Sequence, residues 1–312
     1  MKSKHIHRKP LVSVIMPVYN AGKFLAPAIE SIIRQTYEHI ELIIVDDAST
    51  DDSWEIVKAY RRRYPKLIRV YRVHKQTNSA GNGATNLGLT KARGQFIARM
   101  DADDLSYPER IEKQVAYMTA HPVTIVLGTQ AKVIDKHDKI IGVKNMPTTH
   151  DAIYEQFGIL HPLIHPSVMI RRSLLPYADK IYAMKWDVND DYYTFFRLLN
   201  YGAFANLPEY LLKYRIHGNN LSLNNPKEKF MNSIKIRLDA MRQGYHMSLS
   251  SMLIMFVQFA MLSITPSGLI VPVYMFVRGM NQKPEKSFLS WLKKLPVPAR
   301  IVSIAKKYYT YT

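Results

Sequence analysis

Between residues 11 and 130, short apolar runs alternate with amphipathic stretches. Repeated βαβ units leave this rhythm in a sequence, and it limits the fold to an α/β sheet covered by helices. The spacing predicts strands over 12–18, 41–46, 68–72, 96–100 and 124–127, with helices over 24–34, 53–63, 83–92 and 108–120. Thr50, Asp51 and Asp52 offer N-caps for the second helix. Val133-Ile134 and Ile140-Ile141 predict a hairpin around Lys136-His137-Asp138. Residues 150–217 are mixed in character. One helix is clear there, because Tyr192, Phe195, Phe196 and Leu199 share a face.

Three of the predicted strands end in acids or small polar residues. The first ends in Pro17-Val18-Tyr19-Asn20, the second in Asp46-Asp47-Ala48-Ser49-Thr50-Asp51, and the fourth in Met100-Asp101-Ala102-Asp103-Asp104, with Pro108 beyond. In a parallel sheet these ends share one rim, where open α/β sheets bind ligands. Acids and small polar groups there can hydrogen-bond a base and ribose. Two acids one residue apart can supply oxygens to a hard divalent cation that also holds a diphosphate. Taken singly, each end reads as a polar turn with a helix cap. Three in one βαβ series are hard to ascribe to turns.

The chain has 312 residues, 47% of them hydrophobic, enough for a large α/β domain and an appendage. It has no cysteine, which excludes disulfides, thiolate metal sites and a cysteine nucleophile. The formal net charge of +18 points to anionic partners: nucleotides, nucleic acid or an anionic membrane face. Lys2, Lys4, Arg8 and Lys9 precede an apolar run that ends at Tyr19-Asn20 without a small-residue cleavage pattern, so a buried first strand is expected rather than a secretory signal.

From residue 226 the character changes. Residues 226–312 hold thirteen Lys and Arg against three acids, yet 248–277 carry no charge. Thirty uncharged residues are long enough to cross a bilayer, but Thr265-Pro266-Ser267-Gly268 interrupts them. Lys235, Arg237 and Arg242 flank one side; Arg278, Lys283, Lys286, Lys293 and Lys294 flank the other. A single crossing would put one basic flank outside, against the positive-inside tendency. A hairpin or in-plane helices dipping into the cytoplasmic leaflet are favoured. A buried helical pair or an oligomer interface is the alternative. The division expected is 10–225 for an α/β domain and 226–312 for a helical, membrane-associating appendage.

The sequence resembles family 2 glycosyltransferases, which have the GT-A nucleotide-diphospho-sugar transferase fold, a mixed, mostly parallel sheet flanked by helices. The residues that carry the resemblance are Val12-Ser13-Val14-Ile15-Met16-Pro17-Val18-Tyr19-Asn20, Glu41-Leu42-Ile43-Ile44-Val45-Asp46-Asp47-Ala48-Ser49-Thr50-Asp51 and Gly94-Gln95-Phe96-Ile97-Ala98-Arg99-Met100-Asp101-Ala102-Asp103-Asp104. His165-Pro166-Ser167-Val168, Asp190-Asp191-Tyr192 and Tyr214-Arg215-Ile216-His217 continue it. The resemblance implies a nucleotide site around Pro17, Tyr19, Asn20, Asp46, Asp47, Asn86 and Asp101. It implies a divalent cation, Mg or Mn, at Asp103 and Asp101 with His217 close by. Asp191 matches the family's catalytic base and Asp190 is its neighbour. His165 matches a position near the acceptor cleft, and Trp186 could stack on a sugar face. Read without the family, Asp190-Asp191 is a helix cap, and His217 a surface or core histidine.

The implied activity is an inverting, metal-dependent transfer of one sugar. The donor is a nucleotide-diphospho-sugar, with a UDP-sugar favoured. The acceptor is a hydroxyl of a lipid-linked or saccharide chain in the synthesis of lipopolysaccharide, capsule or exopolysaccharide. The place implied is the cytoplasmic face of the inner (plasma) membrane, in a peripheral or monotopic attachment. Two features depart from relatives. Thr85 stands where they often carry arginine, in Ala84-Thr85-Asn86-Leu87-Gly88, and the Gln-x-x-Arg-Trp motif of processive synthases is absent, which favours one sugar per encounter. A sugar-phosphate nucleotidyltransferase would need a glycine-rich basic loop after the first strand, where this chain has Asn20-Ala21-Gly22-Lys23. A catalytically silent partner subunit has no need of Asp101, Asp103 and Asp191. No nucleic-acid partner is expected, since no reading motif accompanies the positive charge.

Overall fold

A computed structural model describes residues 9–77, 81–177, 180–186, 189–217 and 226–264 of the chain. It has a nine-stranded mixed sheet with helices on both faces. β1 (Val12–Val18) is flanked by β2 (Ile40–Asp46) and β4 (Phe96–Arg99), and β3 (Ile68–Arg72) lies outside β2. These four strands are parallel. Every residue of β1 is buried, as expected of a central parallel strand covered on both faces. The register sets Val18 beside Asp46 and Ile15 beside Arg99. The C-terminal ends of β1, β2 and β4 therefore lie on one rim.

Beyond β4 the sheet continues through β8 (Met169–Arg171), β6 (Thr124–Ile134), β9 (Ala203–Arg215) and β5 (Leu105–Ser106). β8 is antiparallel to both neighbours, β6 and β9 are parallel, and β5 is antiparallel to β9. β7 (Ile140–Lys144) pairs with the second half of β6 in the expected hairpin. There Asp135 accepts from the His137 and Lys139 amides, and Asp138 takes a φ of 66°.

Alternation along the strands builds two cores. Val12, Val14 and Met16 face α1 (Leu25–Ile33), α2 (Ser53–Arg63) and α4 (Arg110–Ala120). Ile15, Ile43 and Val45 face α3 (Asn82–Lys91), α5 (His150–Phe157) and α6 (Asp190–Leu198). α1 buries Leu25, Ala28, Ile29 and Ile32, the spacing of one apolar stripe.

β6 runs well past the expected end at 127. Its interior Gly128-Thr129-Gln130 breaks the apolar pattern, and a Cβ at Gly128 would run into the Asn206 side chain on β9. After residue 226 come α7 (Pro226–Arg242) and α8 (Leu249–Ile264). α7 adds Ile236 and Ala240 to the second core. No helix among the described residues is long and apolar enough to cross a membrane. The break at 265–268, the rest of the uncharged run and the basic flank after it lie outside the described residues, as do Lys2, Lys4 and Arg8.

Candidate active site

At the β1–β2 end of the rim, Tyr19 is exposed and Asn20 has a φ of 48°. Asp47 is buried, and its carboxylate accepts from Thr77 N at 2.9 Å and Thr77 Oγ1 at 3.0 Å. It thereby ties the segment after β3 to the end of β2. Gly81, at φ 77°, fits between Pro17 and Arg99; a Cβ there would stand 3.4 Å from Pro17 Cβ and 3.9 Å from Arg99 Nη2. Pro17, the start of α3 and the end of β4 are thus contiguous.

The end of β4 gathers acids. Asp101, Asp103 and Asp104 each offer an oxygen, all within 4.8 Å of one another. Asp104 is buried; Oδ1 accepts from Arg215 N at 2.8 Å, while Oδ2 has no hydrogen-bond partner among the described residues. Burial, then repulsion by Asp103 and Asp101, pushes the Asp104 carboxyl well above its usual range. His217 Nε2 lies 2.9 Å from Asp103 Oδ2, with its ring stacked on Phe24. Three convergent carboxylates, one of them with an orphaned buried oxygen, form a set of hard oxygen ligands suited to a divalent cation, with the His217 imidazole beside them.

Two arginines support this cluster. Arg99, almost fully buried, donates to Asp101 Oδ1 from Nε at 3.0 Å and Nη2 at 2.8 Å, and from Nη1 to the Thr85 hydroxyl. Arg110, fully buried at the start of α4, donates to the Arg99 carbonyl. Burial lowers its pKa to about 10, so it stays charged at neutral pH.

Asp191 starts α6 among aromatic and imidazole rings. Its Oδ2 is 3.3 Å from His161 Nε2 and 3.9 Å from His165 Nδ1. Oδ1 accepts from Tyr192 N at 2.8 Å. His161 Nδ1 accepts from Leu163 N, so the ring proton sits on Nε2 and faces Asp191. Burial alone would raise the Asp191 pKa, but the two histidines and the Tyr192 amide reverse this and hold it well below the usual carboxylate range. His165 Nε2 pairs with the Tyr182 hydroxyl at 2.6 Å. Burial, helped by Arg99 and opposed by Asp191, pushes His165 down to about 3, so it is neutral at physiological pH. Burial raises the Tyr182 hydroxyl, and both Asp191 and Asp101 add to that rise.

A sequence profile described as glycosyl transferase family 2 matches residues 13–177, more than half of the chain. The chain belongs to glycosyl transferase family 2. Among the similar sequences is the O-antigen biosynthesis glycosyltransferase WbnJ of Escherichia coli, 32% identical over 210 residues, which are 66% of this chain and 80% of that one. Among the similar structures is S. aureus TarS, residues 1–349, in complex with UDP, with a TM-score of 0.60 at 16% identity, covering 85% of this chain and 78% of that one. Another is the mannosyltransferase PcManGT of Pyrobaculum calidifontis with GDP-Man and Mn2+, with a TM-score of 0.58 at 17% identity, covering 97% and 86%. At that identity the two structures show a shared fold, and the family 2 chain has a GT-A-like α/β fold with a mixed sheet and flanking helices.

Four of the residues expected at the site of this family 2 chain are turned to other contacts. Asp46 lies on the α2 face of the sheet and pairs with Arg72 Nε at 2.9 Å, because side chains alternate along β2. Asn20 Oδ1 accepts from Thr50 N at 2.8 Å and shapes the loop. The Asn86 amide is bound at both ends to the backbone of Tyr182, at 2.9 and 3.1 Å. Asp190 is buried and accepts from the Lys185 and Trp186 amides, both at 2.8 Å. It braces the loop before α6, while Asp191 is the partly exposed member of the pair. Trp186 is half-buried with its indole N–H unpaired, and its ring meets Tyr193 edge to face. Arg99, Asp104 and His161 were not among the expected site residues, and Tyr182, like Trp186 an aromatic just before the predicted base, reads in the sequence equally as a stacking or a packing ring. Arg99 and Asp104 adjoin the acid motif, so their place in it was legible; nothing in the sequence distinguishes His161 and Tyr182 from core aromatics.

Proposed function

We propose that this chain transfers one sugar from a nucleotide-diphospho-sugar to an acceptor hydroxyl, with inversion at the anomeric carbon. The observation that carries the reading is the adjacency of two acid groups of different kinds: Arg99, paired with Asp101, gives its backbone amide to the Val168 carbonyl, and three residues before Val168 stands His165, 3.9 Å from Asp191. One gathers three carboxylates as hard ligands; the other isolates a single ionised carboxylate.

In this reading Asp101, Asp103 and Asp104, with His217, hold a divalent cation, Mg or Mn. Such a cation supplies charge stabilisation to a departing diphosphate. Pro17, Tyr19 and Asp47 line the nucleotide side. Asp191 takes the proton of the acceptor hydroxyl as its oxygen bonds to the anomeric carbon and the carbon–diphosphate bond breaks. The nucleoside diphosphate leaves with the bonding electron pair. His161, with its proton fixed on Nε2, holds Asp191 toward the incoming hydroxyl, and His165 and Trp186 line the acceptor side. Region 10–225 is the catalytic unit.

A nucleotidyltransferase would need free amides after β1 to cradle a triphosphate. Here the amides of Asn20, Ala21 and Gly22 are taken by Ser49, Ser53 and Asp51. The O-antigen role of WbnJ supports a product in a bacterial surface polysaccharide. UDP in the TarS complex supports a UDP-sugar, and GDP-Man in PcManGT keeps a guanine donor in the test. The test is a panel of UDP-, GDP- and dTDP-sugars with Mg or Mn, scored for nucleoside diphosphate release. One donor should be turned over, and Asp191→Asn should abolish turnover. Release from no donor, or undiminished release by the variant, overturns the reading.

A further inference from the structure

α8 is built inside out. Ser251 and Gln258 point into the protein, 1% and 7% exposed, while Ser250 stays at the surface. Ser251 Oγ donates to Glu155 Oε1 at 2.7 Å, and Ser248 Oγ binds the same oxygen. Gln258 accepts from the buried Arg237 at 2.8 Å and donates to the Ile159 carbonyl at 3.3 Å. Its large apolar residues point the other way: Leu249 is 84% exposed, Leu253 61% and Phe256 68%. At spacings of four and three they share one face. A surface helix in water has the opposite arrangement. Hydrogen bonds fix this orientation, so α8 cannot simply roll to hide its apolar face.

The surroundings select the occupant. α7, packed beside α8, exposes Lys235, Leu238 and Arg242, again at spacings of three and four. A basic margin repels a second copy of a chain with net charge +18 and attracts anionic headgroups. α8 also opens the thirty-residue uncharged run. Its sixteen described residues span about 24 Å, short of a hydrocarbon core of about 30 Å. We infer that α8 lies in the plane of an anionic lipid bilayer, with Leu249, Leu253 and Phe256 seated at the acyl boundary and the α7 cations against the headgroups.

This seat adjoins the acceptor side. A Cβ on Gly158 would stand 3.0 Å from Ser251 Cβ, and Arg237 donates to the Gly158 and Ile159 carbonyls. Two residues on is His161, against Asp191. The lipid contact stands on the helix alone; its use in presenting a lipid-linked acceptor to Asp191 rests on the proposed transfer reaction.

The experiment is sedimentation of the full chain with vesicles of phosphatidylethanolamine and phosphatidylglycerol, and with phosphatidylcholine vesicles, without any donor. The wild type should sediment with the anionic vesicles and far less with the neutral ones. Leu253→Glu/Phe256→Glu should weaken that binding by at least about tenfold, since two apolar anchors are lost. Both substitutions are at exposed positions, so the melting temperature and donor turnover in solution should be unchanged. Wild type that sediments with neither vesicle, or a variant that sediments as well as wild type, overturns the inference. So does a wild-type dimer that the variant splits in light scattering without any vesicle binding. Vesicle binding by a chain that turns over no donor leaves the inference standing and removes the transfer reading.

Discussion

The Arg99 guanidinium, carried on β4, ends on the Thr85 hydroxyl of α3. The resemblance to the family leads one to expect arginine where this chain has Thr85, and here Arg99 brings a cation to Thr85 from a different element. Arg99→Met should lower kcat by about ten- to a hundredfold, because Asp101 loses the donors that orient it beside the developing charge. Thr85→Arg added to Arg99→Met should recover part of the loss. Nucleoside diphosphate release by the three proteins is the measurement; no recovery would mean the position matters more than the charge.

Asp191→Asn should cost about 10²- to 10⁴-fold in kcat, the usual contribution of a positioned base. His161→Phe should cost about tenfold and change the pH profile, by the following sign. A base must be ionised, so activity falls as pH drops through its pKa. The histidines hold Asp191 low, and removing His161 lets its pKa rise. The acidic limb of kcat/KM should move to higher pH. A limb that stays in place would show that His161 only packs.

Asp103→Asn should abolish the response to metal. In the wild type, Mn2+ at about a hundred times its Kd should stabilise the fold by about 2.7 kcal/mol, because binding relieves repulsion among Asp101, Asp103 and Asp104. Differential scanning calorimetry with Mn2+ and with a chelator reads this directly. Equal melting temperatures in the two conditions would remove the cation from the proposed site.

Glu41 is a stability test away from the active site. It is buried and accepts from Ser13 Oγ at 2.7 Å, Arg93 N at 2.8 Å and Arg69 Nη1 at 3.1 Å. Burial opposes its ionisation, but these bonds outweigh burial and lower its pKa. The unfolded chain therefore takes up this proton first as pH falls. The stability Glu41 contributes is fully present above its ordinary value of 4.5 and is lost below it. Glu41→Gln should cost about 2–4 kcal/mol in urea unfolding at neutral pH and flatten that acid slope.

The parallel half of the fold was legible because its signals are local. β1 and β2 are largely apolar runs, β3 alternates Ile68 and Val70 with Arg69 and Tyr71, and α1 carries a clean apolar stripe. β9 was not legible. Its thirteen residues contain Pro208 and Lys213, and it is held by pairing with β6, whose register shifts where Gln130 meets Tyr210. β5 and β8 have two and three residues, too few to show a period. At the site, the strand ends showed which residues gather but not which way each side chain turns. Asp46 and Asp47 are adjacent, yet the last residue of β2 turns to Arg72 and the first beyond it to Thr77. Asn86 looked like a polar group facing a nucleotide, but its partner is 96 residues away in the chain.

β6 pairs with β8 through Val126 and Leu127, with β7 through Ala131 to Ile134, and with β9 along most of its length. A strand shared so widely ties the β1–β4 half of the sheet to the β9–β5 half through continuous pairing. Any closing over a bound sugar must come from loops riding on a rigid frame, such as the one that Asn86 and Asp190 pin before α6. New donors and acceptors could then arise by changing loops, without redesign of the sheet beneath them.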